Sequence, residues 1–269
     1  MNDALKDLID LKNELLYQQM QQTPLTTLRA MAAMQSRPVP LLMENRLQIT
    51  LIGQISYEDP LSEDTQDIYD PIPLALDFVD EGVHAVALFN DTSVEREGFT
   101  DLTLVNDALK ASNTPLISQD YILHEYHIVE SRAAGASAVT LNASLVNKDL
   151  LRSLTGAAHR NLMTGIVHVF NALQLDDALE WSPQVIGLSS SDPLINAVDL
   201  EFVEEMCMLI PASQRVILCR PLGSLDEVRQ ALKLRLDAIM VDDRLLLDVA
   251  GATALRDALK IPHPKKDQT

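Results

Sequence analysis

Glycine is scarce in this chain: nine in 269 residues, about half its usual share of about 7%. Loops that bring backbone close to a phosphate depend on glycine, so few such loops are expected. Cysteine is scarcer still. Cys207 and Cys219 are the two in the chain and lack metal-ligand spacing. No disulfide framework is expected, and a reducing, cytoplasmic setting is. Aromatic residues make up only 4%, so a large core must be aliphatic. Positive charge is outnumbered, 21 Lys and Arg against 39 Asp and Glu, for a formal net charge of −18. A phosphate backbone would be repelled, and no basic stripe with interleaved aromatics occurs, so nucleic acid is excluded as an expected partner. No apolar run approaches the ~18 residues of a membrane span. The opening stretch MNDALKDLIDLKNELL is amphipathic with both signs of charge, unlike a secretory leader. The fingerprints GxGxxG, GxxxxGK[ST] and HExxH are all absent, so neither cofactor nor metal is expected.

What is present is rhythm. From about residue 48, short apolar runs alternate with helical patterns: LQITLIGQI then PIPLALDFVDEG, VHAVALF then DLTLVNDALKASN, PLISQ then HEYHIVESRAAGA. AVTLN, KDLLRSLTGAAHR, GIVHV, ALQLDDALEW, QVIGLS, DLEFVEEMCMLIP, RVILC, SLDEVRQALKLRL, DAIMV and LLLDVAGATALRDALK continue the series. The strands are continuous apolar runs, as a parallel sheet covered on both faces requires. A strand-then-helix order fits a closed barrel or a doubly wound open sheet. Eight repeats favour the α/β class with a (β/α)8 TIM barrel, which takes about 250 residues. Residues 1–44 read as an N-terminal helical extension broken at Pro24, with Leu5, Leu8, Leu11, Leu15 and Leu16 forming a docking face. Residues 45–262 read as the barrel and 263–269 as a polar tail. His124 and His127 flank Glu125 but have no further ligand nearby, so they read as a solvated helix face and not a metal patch.

Several stretches resemble the indole-3-glycerol phosphate synthase family. Asp120-Tyr121-Ile122 with HEYHIVESRAAGASAV is similar to the family's KDFIIDPYQIYEARAAGADAV. Asp91 stands where the family ends its second strand in LTD, Pro60 where it has EIKxxSPS, and Ile186-Gly187-Leu188 with Val198-Asp199-Leu200 matches IGINNRNL and VDL. The resemblance implies a barrel with its site at the C-terminal strand ends. It also implies a reaction that closes an indole ring with loss of carbon dioxide and water, using a lysine general acid, a second lysine, glutamates and a phosphate site.

At the matching positions those groups are missing. The family's Glu-x-Lys after the first strand falls on Gln54 and Ser56, and its Arg-Lys-Asp after the third on Ser118, Gln119 and Asp120. An amide cannot supply a proton as an ammonium does. No lysine lies between Lys12 and Lys110 or between Lys110 and Lys148, so Asp120 is expected to lack a cationic neighbour. The fifth-strand glutamate becomes His168, which can titrate near neutral pH and is the one candidate catalytic residue. The sixth-strand Asn-x-Arg falls on Ser189 and Ser191, and the seventh-strand Glu-Ser-Gly on Cys219, Arg220 and Pro221. The glycine turn of the eighth strand becomes Val241-Asp242-Asp243-Arg244. Two carboxylates there repel phosphate, and Arg220 and Arg244 are expected to pair with them.

The leading expectation is a member that has lost the synthase reaction, a pseudoenzyme that binds a small molecule in the mouth or a protein partner. The mouth residues offered for ligand binding are Gln54, Ser56, Gln119, Asp120, Ser189, Ser191, Arg220 and Arg244. An active synthase, or a barrel enzyme with changed chemistry using His168, stays open as the alternative.

Overall fold

The computed structural model describes residues 3–36, 38–42, 48–55, 70–90, 98–189 and 199–260. Its apolar runs form the strands Thr50–Ile55 (β1), Ala85–Phe89 (β2), Leu116–Gln119 (β3) and Ala138–Asn142 (β4). Thr164–Val169 (β5), Val185–Leu188 (β6), Arg215–Leu222 (β7) and Ala238–Val241 (β8) follow. Each pairs in parallel with its sequence neighbours, and β8 pairs back on β1, so the sheet is a closed barrel. Closure decides for the TIM barrel over the open sheet.

Helices alternate with the strands. Pro71–Asp80 (α3) precedes β2, Gly98–Leu109 (α4) precedes β3, and Glu125–Ala133 (α5) precedes β4. Lys148–Arg160 (α6), Ala172–Leu179 (α7), Leu200–Leu209 (α8) and Leu225–Ala231 (α9) fill the next four intervals. Gly82 and Gly135, just beyond α3 and α5, adopt φ of +90° and +102°, the left-handed geometry that ends a helix. The last helical stretch differs from expectation. It is two helices, Asp243–Leu247 (α10) and Val249–Leu259 (α11), because the Asp248 side chain accepts from the Gly251 amide and starts the second one.

Two apolar layers sit back to back across the barrel wall. Ile52, Ala87, Ile117, Ile166, Ile217 and Met240 pack inside the barrel, while residues such as Leu51, Val86, Val139 and Val216 pack outward against the helices. A Cβ on Gly53 would meet Phe78 of α3 and Leu246 of α10, so its neighbours Ile52 and Gln54 face inward. The same alternation points Gln119, Thr140, His168 and Cys219 inward.

Asp3–Gln22 (α1) and Leu25–Met34 (α2), separated at Pro24, pack on α5 through Leu16, Leu28, Tyr126, Val129 and Ala133. The Tyr126 hydroxyl donates to the carbonyls of Gln19 and Thr23, and Arg132 donates to that of Ser36. The docking face departs from the leucine reading. Leu11 is 42% exposed while Lys12 is 1% exposed. Among the described residues no helix is long and apolar enough to cross a membrane.

Candidate functional site

The C-terminal ends of β1, β3, β5 and β6 bring Gln54, Gln119, His168 and Ser189 to one end of the barrel. Register sets their heights. Gln54 lies level with Ala87, Gln119 with Phe89, and His168 between Asn142 and Gly187. Ser56 and Ser191 lie outside the described residues, as do Asp91 and Pro60.

His168 is held firmly. Its Nε2 is 2.7 Å from Ser189 Oγ, and its ring lies 4.2 Å from that of Phe170 between centroids. Burial pushes its pKa down to about 4, so the imidazole is neutral at pH 7. Among the described residues no carboxylate hydrogen-bonds the ring, so none of them serves the pair as the orienting acid of a catalytic triad. Gly187 makes room beside it. A Cβ there would lie 2.5 Å from Cys219 Sγ and 3.0 Å from Ile166 Cγ2. Cys219 is buried, and burial pushes its thiol up to about 12, so it is no thiolate nucleophile.

Gln119 donates from Nε2 to Met240 Sδ at 3.7 Å, a weak acceptor, while its Oε1 is buried without a partner. Gln54 Oε1 and Thr140 Oγ1 are likewise buried without partners.

Asp120 does have a cation beside it, contrary to expectation. Lys12 Nζ, from α1, reaches its Oδ1 at 2.6 Å, and the same oxygen accepts from the Tyr121 amide. Glu130 of α5 completes the group. Its carboxyl is pushed up to about 7, chiefly by burial and then by Asp120, with Lys12 opposing. Sequence reasoning missed Lys12 because the contact is tertiary. The available signal was a lysine four residues from Leu8 and from Leu16, in the middle of an apolar face.

At the ends of β7 and β8 the backbone amides are occupied by the chain's own carboxylates. Glu227 Oε2 accepts from the amides of Gly223 and Ser224 at 3.0 and 3.1 Å, while Ser224 caps Glu227 in return. Asp242 Oδ1 accepts from the Leu245 amide, and its Oδ2 lies 2.9 Å from where a Gly223 Cβ would stand. Asp243 accepts from the amide of Arg244. Asp242 is raised in pKa by burial, against its amide bond to Leu245. Arg244, expected to pair with these acids, is exposed and, among the described residues, makes no direct ion pair with them, although its charge does act on Asp242 and lowers that carboxyl's pKa. Arg220 is half-buried near the end of β7. His127 is also not where expected, being buried at 2% exposure, while His124 caps α5 by accepting from the Tyr126 amide. Among the described residues no group of three His, Cys, Asp or Glu could hold a metal.

The sequence profile of the family described as "Indole-3-glycerol phosphate synthase" matches residues 5–257. A protein of that name from Dehalococcoides mccartyi (strain CBDB1) is 25% identical, covering 82% of this chain and 86% of its own. One from Roseiflexus castenholzii is 27% identical, covering 76% and 78%. Among solved structures, thiamine phosphate pyrophosphorylase from Pyrococcus furiosus superposes with a TM-score of 0.58 at 14% identity, over 80% of this chain and 96% of that one. That likeness concerns the fold alone.

Proposed function

This chain belongs to the indole-3-glycerol phosphate synthase family, and from that premise we propose that it has abandoned the synthase reaction and binds a small molecule at its barrel mouth. The observation that carries the reading is the neutrality of the inward side chains at the ends of β1, β3 and β5. Gln54 and Gln119 hold no titratable proton, and the His168 imidazole is uncharged at pH 7. A reaction that needs a proton donor and charges to steer a carboxylate loses at least the ~10²–10⁴ of a typical acid–base contribution.

Substrate anchoring supports the same reading. A phosphate is held by free backbone N–H groups, and at the β7 and β8 ends Glu227, Asp242 and Asp243 already accept from them. A phosphate would have to displace these acids and tolerate their charge. Lys12 offers no substitute for the missing mouth lysines, because it is sealed from solvent against Asp120. Expression of this chain in a tryptophan auxotroph blocked at the synthase step tests the reading. No growth without tryptophan is expected, and growth restored by this chain overturns it.

The 2.7 Å contact between His168 and Ser189 favours one alternative, an enzyme of changed chemistry with imidazole as base toward the serine hydroxyl. An imidazole of pKa about 4 is a weak base, which ranks this reading second. Ester or amide turnover abolished in both His168→Ala and Ser189→Ala would establish it.

A further inference from the structure

The N-terminal extension is fastened along one stripe of α5. Tyr126, Val129 and Ala133 pack against Leu16 of α1 and Leu28 of α2, and their spacing of i, i+3 and i+7 is one face of a helix. Glu130, at i+4, belongs to the same face and is half-buried there. Its neighbours come from several elements. α1 supplies the Lys12 ammonium and the end of β3 the Asp120 carboxylate, 2.6 Å apart and nearly sealed from solvent. Both act on Glu130, Asp120 favouring its protonated form and Lys12 its charged form. On α5 itself, Tyr126 feels the Glu130 charge, and its hydroxyl donates to the carbonyls of Gln19 and Thr23 where α1 ends. His127 turns its Nδ1 to the Leu123 amide, and Arg132 donates to the Ser36 carbonyl. Arg29 of α2 and Arg160 of α6 pair with Glu125 at the start of α5, and α4 contributes Phe99.

One ammonium thus meets two carboxylates beneath α1. Lys12 is committed to Asp120, so a charge on Glu130 is left uncompensated where water is scarce, which is costly. Lifting α1 returns that carboxylate to water. We propose that α1 is a proton-controlled strap, held against the rim of the barrel mouth while Glu130 keeps its proton and loosened when that carboxyl ionises. Docking favours the protonated form, so acid conditions hold the strap and it loosens as pH rises toward about 7. The strap also reaches the mouth. Asp120 follows Gln119 at the β3 end and accepts from the Tyr121 amide, and the Tyr121 ring meets Phe89 at the end of β2 edge-on.

Hydrogen exchange of the full-length protein from pH 5 to 8, read by mass spectrometry with labelling times scaled to the chemical exchange rate, tests the strap. Release of one proton raises an opening constant at most tenfold per pH unit. The opening constant of α1 is expected to rise at least tenfold between pH 5 and 7.5 and then level off. At pH 7.5 it should exceed that of β4 and β5, because the strap opens while the barrel stays folded. In Glu130→Gln, which keeps the side-chain length and has no proton to lose, α1 should stay as protected at pH 7.5 as it is in the parent at pH 5. An α1 opening constant that does not change with pH in the parent, one equal to that of the strands at pH 7.5, or an unchanged pH dependence in Glu130→Gln overturns the proposal. Should that variant fail to fold, the carboxyl ¹³C resonance of Glu130 in the parent decides. A midpoint near 7, where α1 opening levels off, is expected, and a midpoint near 4.5 contradicts the strap.

Discussion

Lys12 and Asp120 stand 108 residues apart in sequence and 2.6 Å apart in space, nitrogen to oxygen. Both side chains are nearly sealed from solvent, at 1% and 6% exposure. The contact ties α1 to the end of β3 and binds a helix outside the barrel to the rim of its mouth. Breaking such a pair leaves one charge buried alone, which costs far more than the intact pair contributes.

Lys12→Met should therefore destabilise the protein by about 3–5 kcal/mol, measured by urea unfolding. Measured well below pH 7, where Glu130 is protonated, Lys12→Met with Asp120→Asn should recover most of that loss, since no lone charge remains. A double variant as unstable as the single one would show that the lysine matters through packing of its stem and not through its charge.

Glu130 gives the same cluster a pH dependence. Its carboxyl stands at about 7 against an ordinary 4.5, so the folded chain holds this proton more tightly than the unfolded chain. Its favourable contribution is complete below about 4.5 and is lost as pH rises through about 7. Glu130→Gln should melt close to the parent protein at the acid end of that window and above it beyond pH 7. A melting difference that does not change with pH would contradict the assignment.

His168 titrates in the opposite sense. Burial holds its imidazole at about 4, below the ordinary 6.5, so its contribution to stability is present above 6.5 and is lost as pH falls through about 4. The C2–H resonance of His168, followed by NMR, should shift with a midpoint near 4. A midpoint near 6.5 would mean the ring is wetter than its place beside Ser189 and Phe170 implies.

Gly187→Ala should cost roughly 1–3 kcal/mol, the usual range for overpacking a close-packed interior, because the new methyl would lie 2.5 Å from Cys219 Sγ. Adding Cys219→Ala should relieve part of it. Thermal melts of the single and double variants read this directly, and no rescue would place the clash elsewhere.

Most of the fold was legible in sequence because burial on both faces of a parallel sheet writes continuous apolar runs, and each strand from β1 to β8 has one. α6 runs over Lys148–Arg160, the same residues as the stretch KDLLRSLTGAAHR. The split at Asp248 was not legible, since an aspartate inside a helical pattern declares itself a cap only when its side chain turns back on the Gly251 amide. The site divides likewise. The loss of charge at Gln54 and Gln119 could be read from residue types alone, set against the family's motifs. The burial of Lys12 against Asp120 and the occupation of the β7 amide groups by Glu227 depend on where side chains meet in space. Sequence reasoning paired Asp242 and Asp243 with Arg220 and Arg244, whereas both acids accept from backbone amides, which only the folded turn reveals.

Purified full-length protein mixed with carboxyphenylamino-deoxyribulose phosphate, with formation of indole-3-glycerol phosphate followed by its indole fluorescence, tests the central claim most directly. No turnover above the uncatalysed rate is expected at any pH between 5 and 9. A kcat/KM at or above about 10⁴ M⁻¹ s⁻¹, the ordinary range for enzymes, would contradict it.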